Sequence, residues 1–470
     1  MNKTTFFLIL LSLVGLKSYS QKITILLDDN SSSTPTVTKA PFKYNKDFAY
    51  SFTLDDATVD AFNHALPVLQ GGAIKEVEAI FPGFYYTDGC GNSFSFKSGV
   101  AWNSANINGE DTHTGEVKGL LTWKQLDSLY ALGWDVFNHS FSHKSRWLTQ
   151  MSNTDYTDEI LKNQVGIREK TAKKIDTPVF VVPSGDDVYQ DIALQLGNKI
   201  VFDQSGNVSG FGGLQVDGDI NLNSLKVHRQ TLNEGAANFI VDKIADKAQN
   251  GGHYWYNEFT HRIDDFDSGG ANFYTFKNQM QKIATLWGKN GSDRVWMAPL
   301  QEVFEYLVFR QSIRYTTSIS NKKIEINIDA SNVPTWLRRK TLTFIVNSTS
   351  SFSQVDAPLS IKKSFRGAGN LKIINLDFTN YTPSTSIQEA PLSVFKLFPN
   401  PVNNILNVEI TNDWLGDSQF TITDISGKSV ISSNLTNKKQ NIDISTLSKG
   451  VYFFKLTQQQ NSYVSKFIKI

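Results

Sequence analysis

The sequence predicts an α/β chain with a parallel sheet, closed as a barrel or left open, followed by two small all-β sandwich modules. Three observations predict it. From about Phe48 to Arg310, strand-like apolar runs alternate with amphipathic helical ones. After Ser312 the apolar period drops to two with no helices between the runs, the mark of antiparallel sheets with one wet face. A Thr/Ser/Pro stretch from Tyr381 to Glu389 then sets off a last piece that has short strands of its own. At 470 residues the chain exceeds one compact core.

The elements follow in order. Met1-Asn2-Lys3, the apolar run Phe6 to Leu16 and Ser18-Tyr19-Ser20 describe a secretory signal peptide over residues 1–20, with the mature chain starting at Gln21. Residues 21–46 are rich in Ser, Thr, Asn and Asp and read as a lead-in segment. The α/β unit spans 47–311. Its strands are expected at Phe48–Leu54, Trp134–Phe137, Val179–Val182, Ile200–Phe202, Tyr254–Phe259 and Val295–Met297. Its helices include Val59–Leu69, Leu126–Leu132, Phe239–Ala248 and Val303–Phe309. Thr122 with Gln125 reads as a capping box and Gly133 as a helix stop. Tyr85 to Gly119 reads as a long insertion-like loop bearing Phe94, Phe96 and Trp102, placed to shape a binding groove.

In residues 312–380, the alternations Ile324/Ile326/Ile328, Leu342/Phe344/Val346 and Ile374/Leu376/Phe378 predict a β-sandwich. Residues 381–391 form the linker. Residues 392–470 form the last all-β module, with strands at Leu406–Ile410, Phe420–Ile422 and Val451–Leu456.

Composition narrows the function. Lys+Arg is 46 and Asp+Glu is 45, a net charge of +1, so no field steers nucleic acid or an anionic membrane surface to the chain. No segment beyond the leader is apolar for long enough to span a bilayer. Cys90 is the single cysteine, which excludes an intramolecular disulfide despite the expected export.

Three segments place acid/base and metal-type residues just after expected strands, where loops converge on the catalytic rim of a parallel barrel. The strand Phe48–Leu54 ends in Asp55-Asp56, whose side chains diverge, so that one binds a cation and the other faces a substrate. Asn138-His139-Ser140-Phe141-Ser142-His143 offers two imidazoles four apart, which on one helical turn share a metal. Thr260-His261 places a further His at a strand end. Asp56, His139 and His143 would give three ligands with room for water, the pattern of a catalytic zinc site. Such a metal acidifies the water and polarises a carbonyl, while Asp55 takes the proton and His261 protonates the leaving group: hydrolysis of an amide or ester. His113 in a Gly/Asn/Asp loop and His253 at a strand start rank below His261, and His64 and His228 read as core or surface residues.

These residues resemble the polysaccharide deacetylase family, carbohydrate esterases with a distorted (β/α) barrel. Thr53-Leu54-Asp55-Asp56 resembles its first motif, and His139-Ser140-Phe141-Ser142-His143 matches its His-Ser/Thr-x-x-His motif in full. Phe180-Val181-Val182-Pro183-Ser184-Gly185 resembles the third, which implies Pro183 in the groove wall and the amide of Ser184 as oxyanion donor. Phe259-Thr260-His261 resembles the last motif, and Trp296 stands where the family tends to put an apolar wall residue. The resemblance covers about residues 48–310. It implies a divalent metal, zinc by preference, and an acetylated polysaccharide or oligosaccharide as substrate.

Departures stand beside it. Val181 and Ser184 replace an Arg and an aromatic, and that Arg normally orients the catalytic Asp. Arg229 and Arg262 are the substitutes at hand. Leu54 replaces a commoner Phe, and no clear fourth motif is present. A glycan-binding surface protein with weakened catalysis, and a hydrolase of non-peptide C–N bonds on the same scaffold, are therefore the alternatives.

The C-terminus carries a second resemblance. Phe398-Pro399-Asn400-Pro401, Asp424-Ile425-Ser426-Gly427-Lys428, Leu447-Ser448-Lys449-Gly450-Val451-Tyr452 and Lys466-Phe467-Ile468-Lys469 look like the sorting domain of type IX secretion. That implies the type IX machinery as partner, export through the periplasm of a Gram-negative bacterium, and a secreted or surface-attached product.

Overall fold

The computed structural model describes residues 20–205, 208–218, 220–232, 239–263, 273–380, 395–410, 418–424, 428–458 and 461–470. The expected signal peptide up to residue 19, the expected linker and Ile425-Ser426-Gly427 lie outside them.

Every residue of the strand Phe48–Leu54 is buried, because a parallel strand is covered on both faces. It sits in a ten-stranded sheet that runs Leu214–Gln215, Tyr254–Thr260, Phe48–Leu54, Gly99–Trp102, Asp135–Asn138, Val179–Val181, Ile200–Asp203, Leu225–His228. One residue past Leu225–His228, the short strand Gln230–Thr231 pairs in parallel with Tyr254–Thr260. That pairing brings the two ends of the sheet together, so the sheet is a nearly closed barrel with Arg229 at the join.

One edge of Phe48–Leu54 is shared: Gly99–Trp102 pairs at Thr53 and Leu54, and Val295–Met297 pairs at Phe48 to Tyr50. The barrel is distorted by that split. Thr122 and Gln125 form the expected capping box on the helix Trp123–Ala131.

The Tyr85 to Gly119 segment is not an insertion loop throughout. Tyr85–Thr87 and Ser93–Ser95 form a hairpin, and Gly99–Trp102 is a fully buried barrel strand. Gly99 is required at that edge, since a Cβ there would lie within contact distance of the Phe137 ring. Phe96 and Trp102 are accordingly core residues.

The lead-in segment also proves to be structure. Ser20–Leu27 pairs antiparallel with Lys323–Asp329 and Phe352–Asp356, and Thr36–Lys39 pairs antiparallel with Thr341–Asn347. Ile23, Ile25 and Leu27 alternate inward onto Ile324, Ile326, Phe344 and Ile374. The sandwich is thus completed by strands that precede the barrel in sequence.

Ion pairs join it to the barrel. Arg339 reaches the fully buried Asp135 at 2.7 Å and Glu305 at 3.1 Å, Arg338 also meets Asp135, and Lys43 meets Glu302 at 3.0 Å. The C-terminal module has a three-stranded and a four-stranded antiparallel sheet around Leu406, Val408, Ile422, Phe454 and Phe467. Among the described residues, no helix is long and apolar enough to cross a membrane.

Candidate active site

The strand Phe48–Leu54 delivers Asp55 and Asp56 to the barrel rim. Asp55 N–H donates to Thr260 O at 2.9 Å, which locks the end of this strand to the end of Tyr254–Thr260. Directly beyond, Asp56 and Ala57 take left-handed backbone, at φ of 62° and 50°. Non-glycine residues rarely occupy that region, and such strain gathers at functional sites.

The two imidazoles converge by loop geometry rather than on a helical turn. His139 to His143 form an irregular loop in which Ser140 and His143 are left-handed, at φ of 64° and 58°. Three sets of bonds hold that loop. Asn138 Oδ1 accepts from Ser140 N–H at 3.1 Å and from Asn163 Nδ2 at 2.8 Å. Ser140 Oγ accepts from His143 N–H at 3.1 Å. The buried Glu159 takes Ser142 N–H at 2.8 Å and Ser142 Oγ at 2.7 Å.

His139 Nδ1 lies 2.9 Å from Val181 O. A carbonyl can only accept, so this contact puts the ring proton on Nδ1 and leaves Nε2 as a lone pair.

Asp56 Oδ1 stands 3.3 Å from His139 Nε2 and 3.2 Å from His143 Nε2. Single ligand atoms of these three residues all lie within 4.8 Å of one another. Asp56 Oδ1 and His139 Nε2 are buried and make no hydrogen bond. Two buried acceptors aimed at one point, with no donor between them, fit a cation there.

The three groups perturb one another's protonation. Burial works to raise the Asp56 carboxyl, but His139 and His143 outweigh it and hold the group well below the usual carboxylate range. Burial, joined by the neighbouring His139, lowers His143 and so favours the neutral ring that ligates metal. For His139, burial is outweighed by the Asp56 and Asp55 carboxylates, which raise it.

Asp55 faces the other way. Arg229 Nη1 and Nη2 donate to its two oxygens at 2.8 and 2.9 Å, and both side chains are almost fully buried. The guanidinium also lies over the Phe259 ring at 4.1 Å. Of the two arginines open as substitutes for the missing third-motif Arg, it is Arg229 that reaches Asp55.

His261 is exposed, with its ring edge-on to Phe259 at 5.7 Å. Pro183 is buried and Ser184 exposed with φ of 54°, two and three residues beyond the Val181 carbonyl that orients His139.

Trp296 departs from expectation. It is fully buried against Phe42 and Tyr306, and it pairs with Ala49, six residues or about 20 Å of strand before Asp55. It is a core residue at the far end of the barrel, because Val295–Met297 pairs only with the lower half of its neighbour.

The competing histidines are structural. His113 is pinned between Leu121 O and Asn103 O at 2.6 and 2.7 Å, and His253 pairs with Asp217 at the start of its strand. Sequence reasoning missed Glu159, Asn138 and Asn163. The signal available was only a buried-type polar residue on a helix after the His motif.

Comparison with known proteins now has a geometry to meet. Residues 43–204 match the polysaccharide deacetylase family. By that match the segment is similar to a polysaccharide deacetylase domain. Residues 396–470 match the secretion system C-terminal sorting domain. No curated protein matches the sequence.

Among solved structures, the chain is similar to Streptococcus pyogenes deacetylase PplD in complex with acetate. That match is 16% identical, covers 49% of this chain and 69% of that one, and has a TM-score of 0.26. A family 4 carbohydrate esterase from Streptomyces lividans in complex with acetate matches at 12% identity over 51% and 89% of the two chains, with a TM-score of 0.28. The chain is also similar to PorZ of Porphyromonas gingivalis at 16% identity over 23% and 15% of the two chains, with a TM-score of 0.15.

Proposed function

We propose that the protein is a secreted, metal-dependent deacetylase that hydrolyses N- or O-acetyl groups of an extracellular polysaccharide. The observation that carries this reading is the pairing of an Asp56/His139/His143 cluster with an Arg-held Asp55 on the rim of a polysaccharide deacetylase domain.

In this reading Asp56, His139 and His143 hold the ion, zinc by its mixed O/N donor set. The ion, when bound, supplies Lewis acidity to water and to the acetyl carbonyl. Asp55 accepts the proton of the attacking water, and Arg229 fixes its oxygens so that the carboxylate faces the cleft. The amide of Ser184 donates to the carbonyl oxygen as it gains charge, and Pro183 forms the wall beside it. His261, on the solvent side, gives a proton to the departing amine or alcohol.

The C-terminal sorting domain supports secretion or surface attachment, with the type IX machinery as partner and passage through the periplasm. The test is acetate release by purified protein from chitin oligomers, acetylated xylan and peptidoglycan, with and without chelator. Release that chelator abolishes and added metal restores supports the proposal; no metal-dependent release from any of these overturns it.

A further inference from the structure

Trp147 lies four residues beyond His143, within about 14 Å of chain. Among the described residues it is the one tryptophan more than a third exposed, at 61%, whereas Trp102, Trp134, Trp255 and Trp296 are fully buried. A ring of this size is ordinarily kept from water.

Nor does it hang loosely. Leu148 and Thr149 N–H both donate to Ser145 O, at 3.0 and 3.1 Å, closing a tight turn around the residue. The Arg146 guanidinium covers one face of the indole at 4.3 Å from the ring centre. That guanidinium is tied in turn to Asp187 Oδ1 at 2.8 Å and to Asp186 Oδ1 at 3.4 Å. Asp186 is fully buried and also accepts from Arg146 N–H and Tyr156 Oη, both at 2.8 Å. The indole is therefore fixed to the two loops that carry His143 and Ser184, with one face held from behind and the rest open to solvent.

We infer that the open face of Trp147 is a stacking platform for a sugar ring of the substrate chain, outside the ring that bears the reacting acetyl group. The enzyme then takes polymers or oligomers in preference to single sugars. The apolar C–H face of a pyranose matches a flat indole, a near-neutral protein has no charge to attract a polyanion, and an immobilised ring loses little entropy on binding. This inference rests on the deacetylase reading and deepens it by naming a chain-length requirement.

The test compares wild type with Trp147→Ala and Trp147→Phe in two assays. One is acetate release from glycol chitin, acetylated xylan and peptidoglycan against release from 4-nitrophenyl acetate. The other is mobility in native gels cast with the same soluble glycans. Trp147→Ala is expected to raise KM for the polymer about tenfold, to leave kcat and the small-ester kinetics in place, and to lose gel retardation. Trp147→Phe recovers most of both. Wild-type KM and retardation in Trp147→Ala overturn the inference while the deacetylase reading stands. If wild type releases no acetate, that reading falls by itself, and retardation still decides the platform: unchanged in Trp147→Ala, or absent in wild type, it is overturned.

Discussion

Arg229 grips both oxygens of Asp55 from 174 residues further along the chain, at 2.8 and 2.9 Å, with both side chains almost fully buried. Two parallel N–H···O bonds fix the carboxylate plane as a point charge could not. Arg229→Lys and Arg229→Ala should therefore each cost about 10²-fold in kcat while bound metal stays stoichiometric, as read by steady-state kinetics beside metal analysis. A Lys variant with wild-type kcat would show that the fork geometry is irrelevant.

Glu159 holds the His139–His143 loop through Ser142. Glu159→Ala should weaken metal affinity about 10–100-fold, by competition with a chromogenic chelator. His139→Ala should abolish binding outright. Equal affinity in Glu159→Ala and wild type would remove the loop from the account.

Glu258 is buried beneath the helix Phe273–Trp287, bonded by Tyr50 Oη at 2.7 Å and by Gln279. Burial pushes its carboxyl from 4.5 up to about 8, against the pull of those two donors. Between these values the folded chain holds a proton that the unfolded chain has released. This contribution is full below pH 4.5 and is lost as pH rises towards 8. Glu258→Gln should flatten that slope, so its melting temperature gains on wild type between pH 5 and pH 8. Parallel curves for the two proteins count against a titrating Glu258.

Asp135, fully buried, depends on Arg338 and Arg339. Removing one partner strands the other charges, so Arg339→Ala should cost about 3–5 kcal/mol in chemical denaturation. A loss below 1 kcal/mol would mean that water reaches the cluster.

The legible part of the site was local. Asp55-Asp56 and His139 to His143 are short motifs at strand ends, and distance along the chain does not blur them. Arg229 could be offered only as one of two candidates, because nothing in the sequence says which strand closes the barrel. Trp296 was misplaced for a related reason: its strand was found, but not which half of its neighbour it pairs with. Gly99–Trp102 was hidden by being four residues long and buried throughout, with no alternation to reveal it. Ile23, Ile25 and Leu27 do alternate, but the polar residues after them dominated the reading of the segment.

Those first strands have a bearing on how the molecule reaches its final shape. Ser20–Leu27 and Thr36–Lys39 find partners some 300 positions downstream, at Lys323–Asp329 and Thr341–Asn347. A chain made from its amino end must therefore keep two unpaired strands waiting until the whole barrel has been synthesised between them and their partners. Removing residues 20–46 while keeping the rest would leave the later half of the sandwich with open edges, and aggregation is the expected result.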